Sequence, residues 1–452
     1  VSWAGIIKRA IGLGLSLTAC CSVGWPAFGQ GASPSQAANP EYHALFKRMY
    51  ADPKNLNVTF QFADVAVKAG DYEAAIGALE RVLFFNPNLP RVRLQLGVLY
   101  FKLGSYRMAR SYLEQAQGSP SSPPEVQSEA AQFIAEIDRR LNPQKWGVFA
   151  HTGLRYQSNA NAGPNGLLVR SLGQDAVINN QFAKQPDWNW FALFGASYTY
   201  DIEGSGVSLE AGLVGYYAKQ FKLSQFDLGL IELQMGPRFA LPSIPGGSIK
   251  PYVIGVAASL DSALYFTAPG AGVSMRFNLG DFAKVEPFVE IRDRTFRDSM
   301  AFPTAAQQSG TLTTVGVAAE GAAFGPVRWF GRATFDRNHT DEGVFDFNGY
   351  ERWSIDVGFP VAFSMPWGAS TRQMVVTPTA GLSRAEYGGA NITVDPDTVR
   401  HDREWRVGML FDVQLYERYG LRTQVQYARN HSNLSNYDFS NFSVTFGPTA
   451  RF

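Results

Sequence analysis

Residues 402–452 read DREWRVGMLFDVQLYERYGLRTQVQYARNHSNLSNYDFSNFSVTFGPTARF. Trp405, Val407, Met409, Phe411, Val413 and Leu415 alternate with Glu404, Arg406, Gly408, Leu410, Asp412 and Gln414. Strand side chains point to opposite faces in turn, so this is one apolar and one mostly polar face. After a short turn at Tyr416–Gly420 the pattern resumes, with Leu421, Val425 and Tyr427 against Arg422, Gln424 and Gln426. The stretch closes on Phe442, Val444, Phe446 and Phe452, separated by Ser443, Thr445, Thr449 and Arg451. One such strand fits a soluble sheet. Repeated from Trp146 onward with aromatic residues near strand ends, the pattern predicts a transmembrane β-barrel whose apolar face meets lipid.

Working outward, about fourteen amphipathic strands are expected near 146–157, 188–201, 206–218, 225–240, 249–260, 269–279, 284–297, 309–323, 326–340, 348–363, 371–384, 402–416, 420–431 and 439–452. Their connections alternate in length. Glu203–Ser205, Pro242–Gly247, Gly280–Ala283, Phe324–Gly325 and Met365–Ser370 are short, while Ser158–Asp187, Ser299–Gln308, Thr340–Phe347 and Ala385–His401 are longer. Outer-membrane barrels have short periplasmic turns and longer outer loops, so an even strand count puts both barrel ends in the periplasm. The terminal aromatic pattern Phe442, Val444, Phe446, Phe452 resembles the signal read by bacterial barrel-assembly machinery, an expected partner beside outer-membrane lipid.

The net charge is +1, which gives no reason to expect a nucleic-acid partner. Charged residues make up 17% and aromatics 13%, and there are 44 glycines, a balance that favours a strand-rich, lipid-facing chain. Residues 1–29 read as a signal peptide: Lys8 and Arg9, an apolar run from Ile11 to Val23, and Ala27-Phe28-Gly29 as the cleavage site. Leu17-Thr18-Ala19-Cys20 also resembles a lipoprotein signal, which would lipidate Cys20. The two cysteines, Cys20 and Cys21, both fall in this leader, leaving no thiolate metal site beyond it. Residues 30–40 form a Ser/Ala/Pro-rich tether.

Between tether and barrel lies an internal repeat. Gly70, Tyr72, Ala75 and Leu79 recur 34 residues later as Gly104, Tyr106, Ala109 and Leu113. The period and the small–large order resemble the tetratricopeptide repeat, so residues 41–141 are expected to be helical, with Tyr42–Tyr50 and Glu125–Leu141 as flanking helices. Gly97 and Ala109 let two helices approach, and Leu96, Tyr100 and Leu113 fill the space between them. Asn57, Asp64, Lys68, Arg91, Val98 and Lys102 occupy the groove positions of the first helices, as candidates to hold an extended peptide or simply as a solvated face.

On the barrel strands, Arg238, Arg292, Arg294, Arg332, Arg352 and Arg406 share the polar face with Glu286, Glu290, Asp356 and Glu404. A charge facing lipid would cost about 2–4 kcal/mol near the midplane, so these residues must line the lumen. Paired ions bracing the wall is the plain reading; a wet, mixed-charge conduit is the sharper one. His43, His151, His339, His401 and His431 show no metal-ligand spacing, and Gly272-Val273-Ser274-Met275 lacks the second glycine of a nucleophile elbow. No enzyme activity, cofactor or metal is expected, and the barrel is expected to be a monomer.

The run Arg91-Val92-Arg93-Leu94-Gln95-Leu96-Gly97-Val98-Leu99-Tyr100, followed by Trp146 and Ser158-Asn159-Ala160-Asn161-Ala162-Gly163-Pro164, resembles the surface lipoprotein assembly modulator (Slam) family. That resemblance implies a tetratricopeptide domain joined to a fourteen-stranded barrel, and a translocon of the type-eleven secretion system. It further implies that the repeats receive a lipoprotein or small secreted protein in the periplasm and the barrel delivers it to the surface. Exopolysaccharide exporters also join such repeats to a barrel, usually with more repeats and strands; a passive porin is the third alternative.

Overall fold

In the computed structural model the structure describes residues 40–52, 55–202, 205–280, 282–324, 327–364 and 373–452. The leader and residues 30–39 of the tether lie outside them. The described chain divides into two compact units, one ending at Asn142 and the other beginning at Pro143.

The first unit holds helices α1 (Pro40–Ala51), α2 (Leu56–Lys68), α3 (Tyr72–Phe85), α4 (Pro90–Lys102), α5 (Tyr106–Gln117) and α6 (Pro124–Leu141). Local chemistry sets the boundaries. The Asn55 and Asp71 side chains accept from the backbone N–H of Val58 and Ala74 and cap α2 and α3. Pro90 and Pro124 open α4 and α6, where a missing N–H is harmless. Gly70 and Gly104 leave α2 and α4 in the left-handed region at φ +78° and +75°, the conformation glycine tolerates best. The repeat packs as its sequence requires. A Cβ on Gly97 would lie 2.5 Å from Leu113 Cγ, so the α4–α5 contact depends on glycine. Glu80 of α3 accepts from the hydroxyls of both Tyr100 (2.8 Å) and Tyr112 (3.1 Å), whose rings stack, tying α3, α4 and α5 together. Burial and the Glu80 carboxylate push the Tyr100 hydroxyl up to about 12, so it stays a donor.

The second unit is a closed antiparallel barrel. Its strands are β1 (Gln144–Gln157), β4 (Asp187–Ile202), β5 (Val207–Gln220), β6 (Leu228–Ala240), β7 (Ser248–Leu260), β8 (Ala263–Leu279), β9 (Ala283–Phe296), β10 (Gly310–Phe324), β11 (Val327–Thr340), β12 (Tyr350–Gly358) with β13 (Val361–Ser364), β14 (Gln373–Ala390), β15 (Val399–Gln414), β16 (Tyr419–Ser432) and β17 (Phe439–Arg451). Strands β12 and β13 share one place in the wall between β11 and β14, parted at Phe359-Pro360, so the barrel has the fourteen expected positions. Strands β1 and β17 close the seam, extended by reciprocal hydrogen bonds of 2.9 Å between Val148 and Phe452. No helix among the described residues is long and apolar enough to cross a membrane.

Three departures are instructive. The region 261–268 holds no loop: Asp261 and Ser262, both at positive φ, make a two-residue hairpin turn and β8 starts at Ala263. Its first residues, Leu-Tyr-Phe, do not alternate, which hid them from a period-two reading. The long Ser158–Asp187 connection contains its own hairpin, β2 (Leu168–Ser171) with β3 (Gln174–Val177). The Ala385–His401 loop shrinks to residues 391–398 because β14 and β15 run on past the membrane-facing pattern.

Candidate functional site: the barrel lumen and the repeat groove

Register fixes which residues face inward. The even positions of β9, β11, β12 and β15 and the odd positions of β14 and β17 pair in one continuous row around the wall. The opposite set is exposed and apolar: Ile291, Val315, Trp353, Leu382, Val407, Phe442 and Phe446. Trp146, Trp188, Tyr419 and Phe452, also exposed, stand near strand ends where interfacial aromatic girdles form. Phe442 and Phe446 thus lie on the lipid face with Val444 on the same side of β17.

The ten charged positions read from sequence all face the lumen, and the structure gathers them into clusters. Toward the short-turn end, Glu210 of β5 accepts from Arg238 Nε at 2.7 Å and lies 3.1 Å from Lys250 Nζ. Arg238 also reaches Glu286 at 3.2 Å, and Glu286 takes Arg276 at 2.8 Å and the Ser274 hydroxyl at 2.9 Å. Next to this set, Glu290 accepts from Tyr252 (3.1 Å) and from Arg292, whose far arm lies 3.5 Å from Glu232. Arg332 stacks its guanidinium over Phe288, 4.6 Å from the ring centre. Farther along β11, Asp336 binds Arg352 of β12 at 2.7 Å and accepts from the Thr314 hydroxyl of β10 at 2.8 Å. Arg406 bridges Asp356 (2.7 Å) and Glu404 (2.6 Å), and Asp412 pairs with Arg422 at 2.7 Å. Arg294 donates to Asn338. Each anion named here has a cation within 3.5 Å, so this lining carries both signs. Glu210 and Lys250 were missed in the sequence, although strand parity would have found them.

Opposite in character is the long-loop half of the inner face of β6–β8. Leu228, Ile254, Val256, Leu260 and Phe266 point inward and are buried in one apolar cluster. Phe226 from the β5–β6 connection and Phe302 and Ala305 from the β9–β10 connection fold onto it. The long-loop mouth is therefore covered on this side. On the other side β2 and β3 are held to two neighbouring loops. Arg170 reaches Asp395 and Asp175, and its backbone N–H donates to Asn436, whose amide in turn donates to the Arg170 carbonyl. Burial works against a charged Asp395, but the Asp397 N–H at 3.1 Å and the Arg170 guanidinium outweigh it and hold its carboxyl below the ordinary range.

In the Asn159–Pro164 segment, Asn159 is almost fully buried. It donates to the Gly163 carbonyl and accepts from the Gly163 N–H, and Asn161 accepts from the Gln185 N–H. The asparagines thus shape a turn; they do not present side chains to a ligand.

Of the groove candidates, Asn57, Asp64, Lys68, Arg91 and Lys102 are exposed. Asp64 and Lys68 pair with each other at 2.6 Å, Lys102 lies over the Tyr72 ring, and Arg91 stands 3.9 Å from Glu125 of α6. Val98 is half-buried and packs against the cluster of Leu94, Ala109, Leu113, Ala116, Val126, Ala130 and Ile137.

A family model described as "Anaphase-promoting complex, cyclosome, subunit 3" matches residues 43–116, which span α1 to the end of α5. No curated protein matches the chain. Among solved structures, one titled "Bacterial polysaccharide outer membrane secretin" is similar at 10% identity and TM-score 0.36, covering 69% of this chain and 99% of that one. The anion-selective porin from Comamonas acidovorans gives 11% and 0.35, with 68% and 99% covered. The Yersinia enterocolitica type III secretion translocator chaperone SycD gives 16% and 0.21, with 22% and 70% covered. Fold and lining define the class: a closed fourteen-position antiparallel barrel of the outer-membrane type, with an apolar outer face and a charged inner one, carried in one chain with a tetratricopeptide-like helical region.

Proposed function

We propose that the chain is an outer-membrane translocon that takes a periplasmic lipoprotein or small secreted protein at its repeats and passes it through the barrel. The observation that carries this reading is the lumen lining, where paired charges of both signs face an apolar wall. A polypeptide brings cations, anions and apolar groups in turn, and such a lining offers a partner to each without trapping one kind. A single-sign ladder would instead select ions of one charge. For a polysaccharide, rings with free faces along the path are needed; here Tyr265, Phe296 and Phe302 pack against one another in T-shaped contacts. In this reading the helical region is periplasmic, its groove receives an extended segment, and the protein works without catalysis.

The test is to express the chain with a lipoprotein encoded in its own gene neighbourhood and read surface exposure by protease shaving. Removing residues 41–141 should leave an inserted, heat-modifiable barrel while the cargo stays in the periplasm. Lys68→Glu with Lys102→Glu should weaken delivery while the helices stay folded. Equal surface exposure without the repeats would contradict the translocon reading and favour a passive or polysaccharide channel.

A further inference from the structure

The wall of the barrel is irregular where β6 meets β7. Their ladder pairs Met235 with Val253 and resumes only at Phe239 with Ile249. Between these pairs Pro237 stands opposite Pro251, and neither has an N–H to donate. Gly236 lets the backbones close in: a Cβ there would meet the Pro251 carbonyl oxygen at 2.1 Å. On the lipid side this leaves a concavity of about 910 Å³ whose lining is almost wholly apolar. Its sides are Leu209, Met235, Val253 and Val273, and Ala211 and Ala271 keep it open by their small size.

The lumen side is shut at the same level. Glu210 joins Arg238 and Lys250 across β5, β6 and β7, side-chain contacts that bind the strands where backbone pairing lapses. The Tyr252 ring lies over Gly272, where a Cβ would come 2.5 Å from the ring, and its hydroxyl donates to Glu290. The concavity is therefore a blind groove, opening outward and continuous with the lipid-facing surface.

The geometry points to a binding site for an acyl chain of a bilayer phospholipid, in the leaflet next to the short turns. An apolar hollow facing hydrocarbon forfeits dispersion contacts unless something fills it. A linear chain already present in that leaflet fits the groove without burying a polar group. Unlike lipid sliding over the convex wall elsewhere, a chain seated here lies against Leu209, Met235, Val253 and Val273 together and exchanges more slowly.

The experiment uses the full chain in vesicles of phosphatidylethanolamine and phosphatidylglycerol, doped with phosphatidylethanolamine carrying a diazirine on one acyl chain. After illumination, adducts should concentrate on the segments holding Met235, Val253 and Val273, severalfold above the β14–β16 wall. Ala211→Phe and Ala271→Phe, made singly and together, should remove that excess while heat modifiability shows that the barrel is folded. Even labelling around the barrel, or an excess that survives both substitutions in a folded barrel, would overturn the site. So would labelling of the groove by a diazirine-bearing triacylated lipopeptide but not by the phospholipid, which would assign the hollow to a protein's anchor.

Discussion

The helical unit and the barrel handle the same apolar side chains in opposite ways. Phe62, Leu96 and Leu113 are at most 1% exposed, whereas Trp353 and Leu382 are 64% and 63% exposed. In the first, apolar surface is driven inward by water; in the second, lipid replaces water outside and the polar groups turn inward. Burial is therefore a measure of stability only after the solvent on each face is known. The repeats depend on fit at points such as Gly97 against Leu113, and the wall depends on parity.

This contrast can be broken most severely at a helix contact. Leu113→Ala should cost about 2–5 kcal/mol, because the vacated space opposite Gly97 cannot close. Limited proteolysis of the full chain across a urea series should show the helical region cleaved at lower urea, with the barrel unaffected. In the wall, Leu382→Arg should cost about 2–4 kcal/mol by putting a cation in hydrocarbon. Leu410→Arg, on the inward row of β15, should insert at normal yield, since parity and not residue type decides. Heat-modifiable yield separates the two, and equal loss in both would refute the inward assignment.

A smaller effect is expected where the loops are clasped. The Asp395 carboxyl titrates below its ordinary value, so its contribution is present above about pH 3.9 and is lost as pH falls through the depressed value. Protease cleavage within residues 166–178 should rise on that acid limb, and Asp395→Asn should show fast cleavage with little pH dependence. The smallest effect belongs to the exposed Asp64–Lys68 pair: Asp64→Asn should leave the unfolding of the helices unchanged, as solvent screens such pairs.

Much of this contrast was legible in the sequence because periodicity carries it. The period of two put Arg292, Arg332, Arg352 and Arg406 on the inner row, and the 34-residue repeat with its small–large order marked Gly97 and Ala109 as a close approach and Leu113 as a residue that fills it. What the sequence hid depends on contacts distant along the chain or on local exceptions. Asp261 and Ser262 form a tight turn without the usual Asn-Gly signal. Phe302 reads as a loop residue but folds back onto Tyr265 and Phe226. Two partners of Arg170, Asp395 and Asn436, lie more than 200 residues away along the chain, a separation no local pattern reports.

The central claim is that a polypeptide crosses the lumen between the charged and apolar walls. Its most direct test places a photocrosslinking amino acid at Arg332 or Ser354 on the inner row, and at Leu382 on the lipid face, in cells exporting the neighbouring lipoprotein. The account predicts cargo adducts from both lumen positions, their loss when residues 41–141 are removed, and none from Leu382. Adducts confined to Leu382, or none at any position while cargo still reaches the surface, would contradict it.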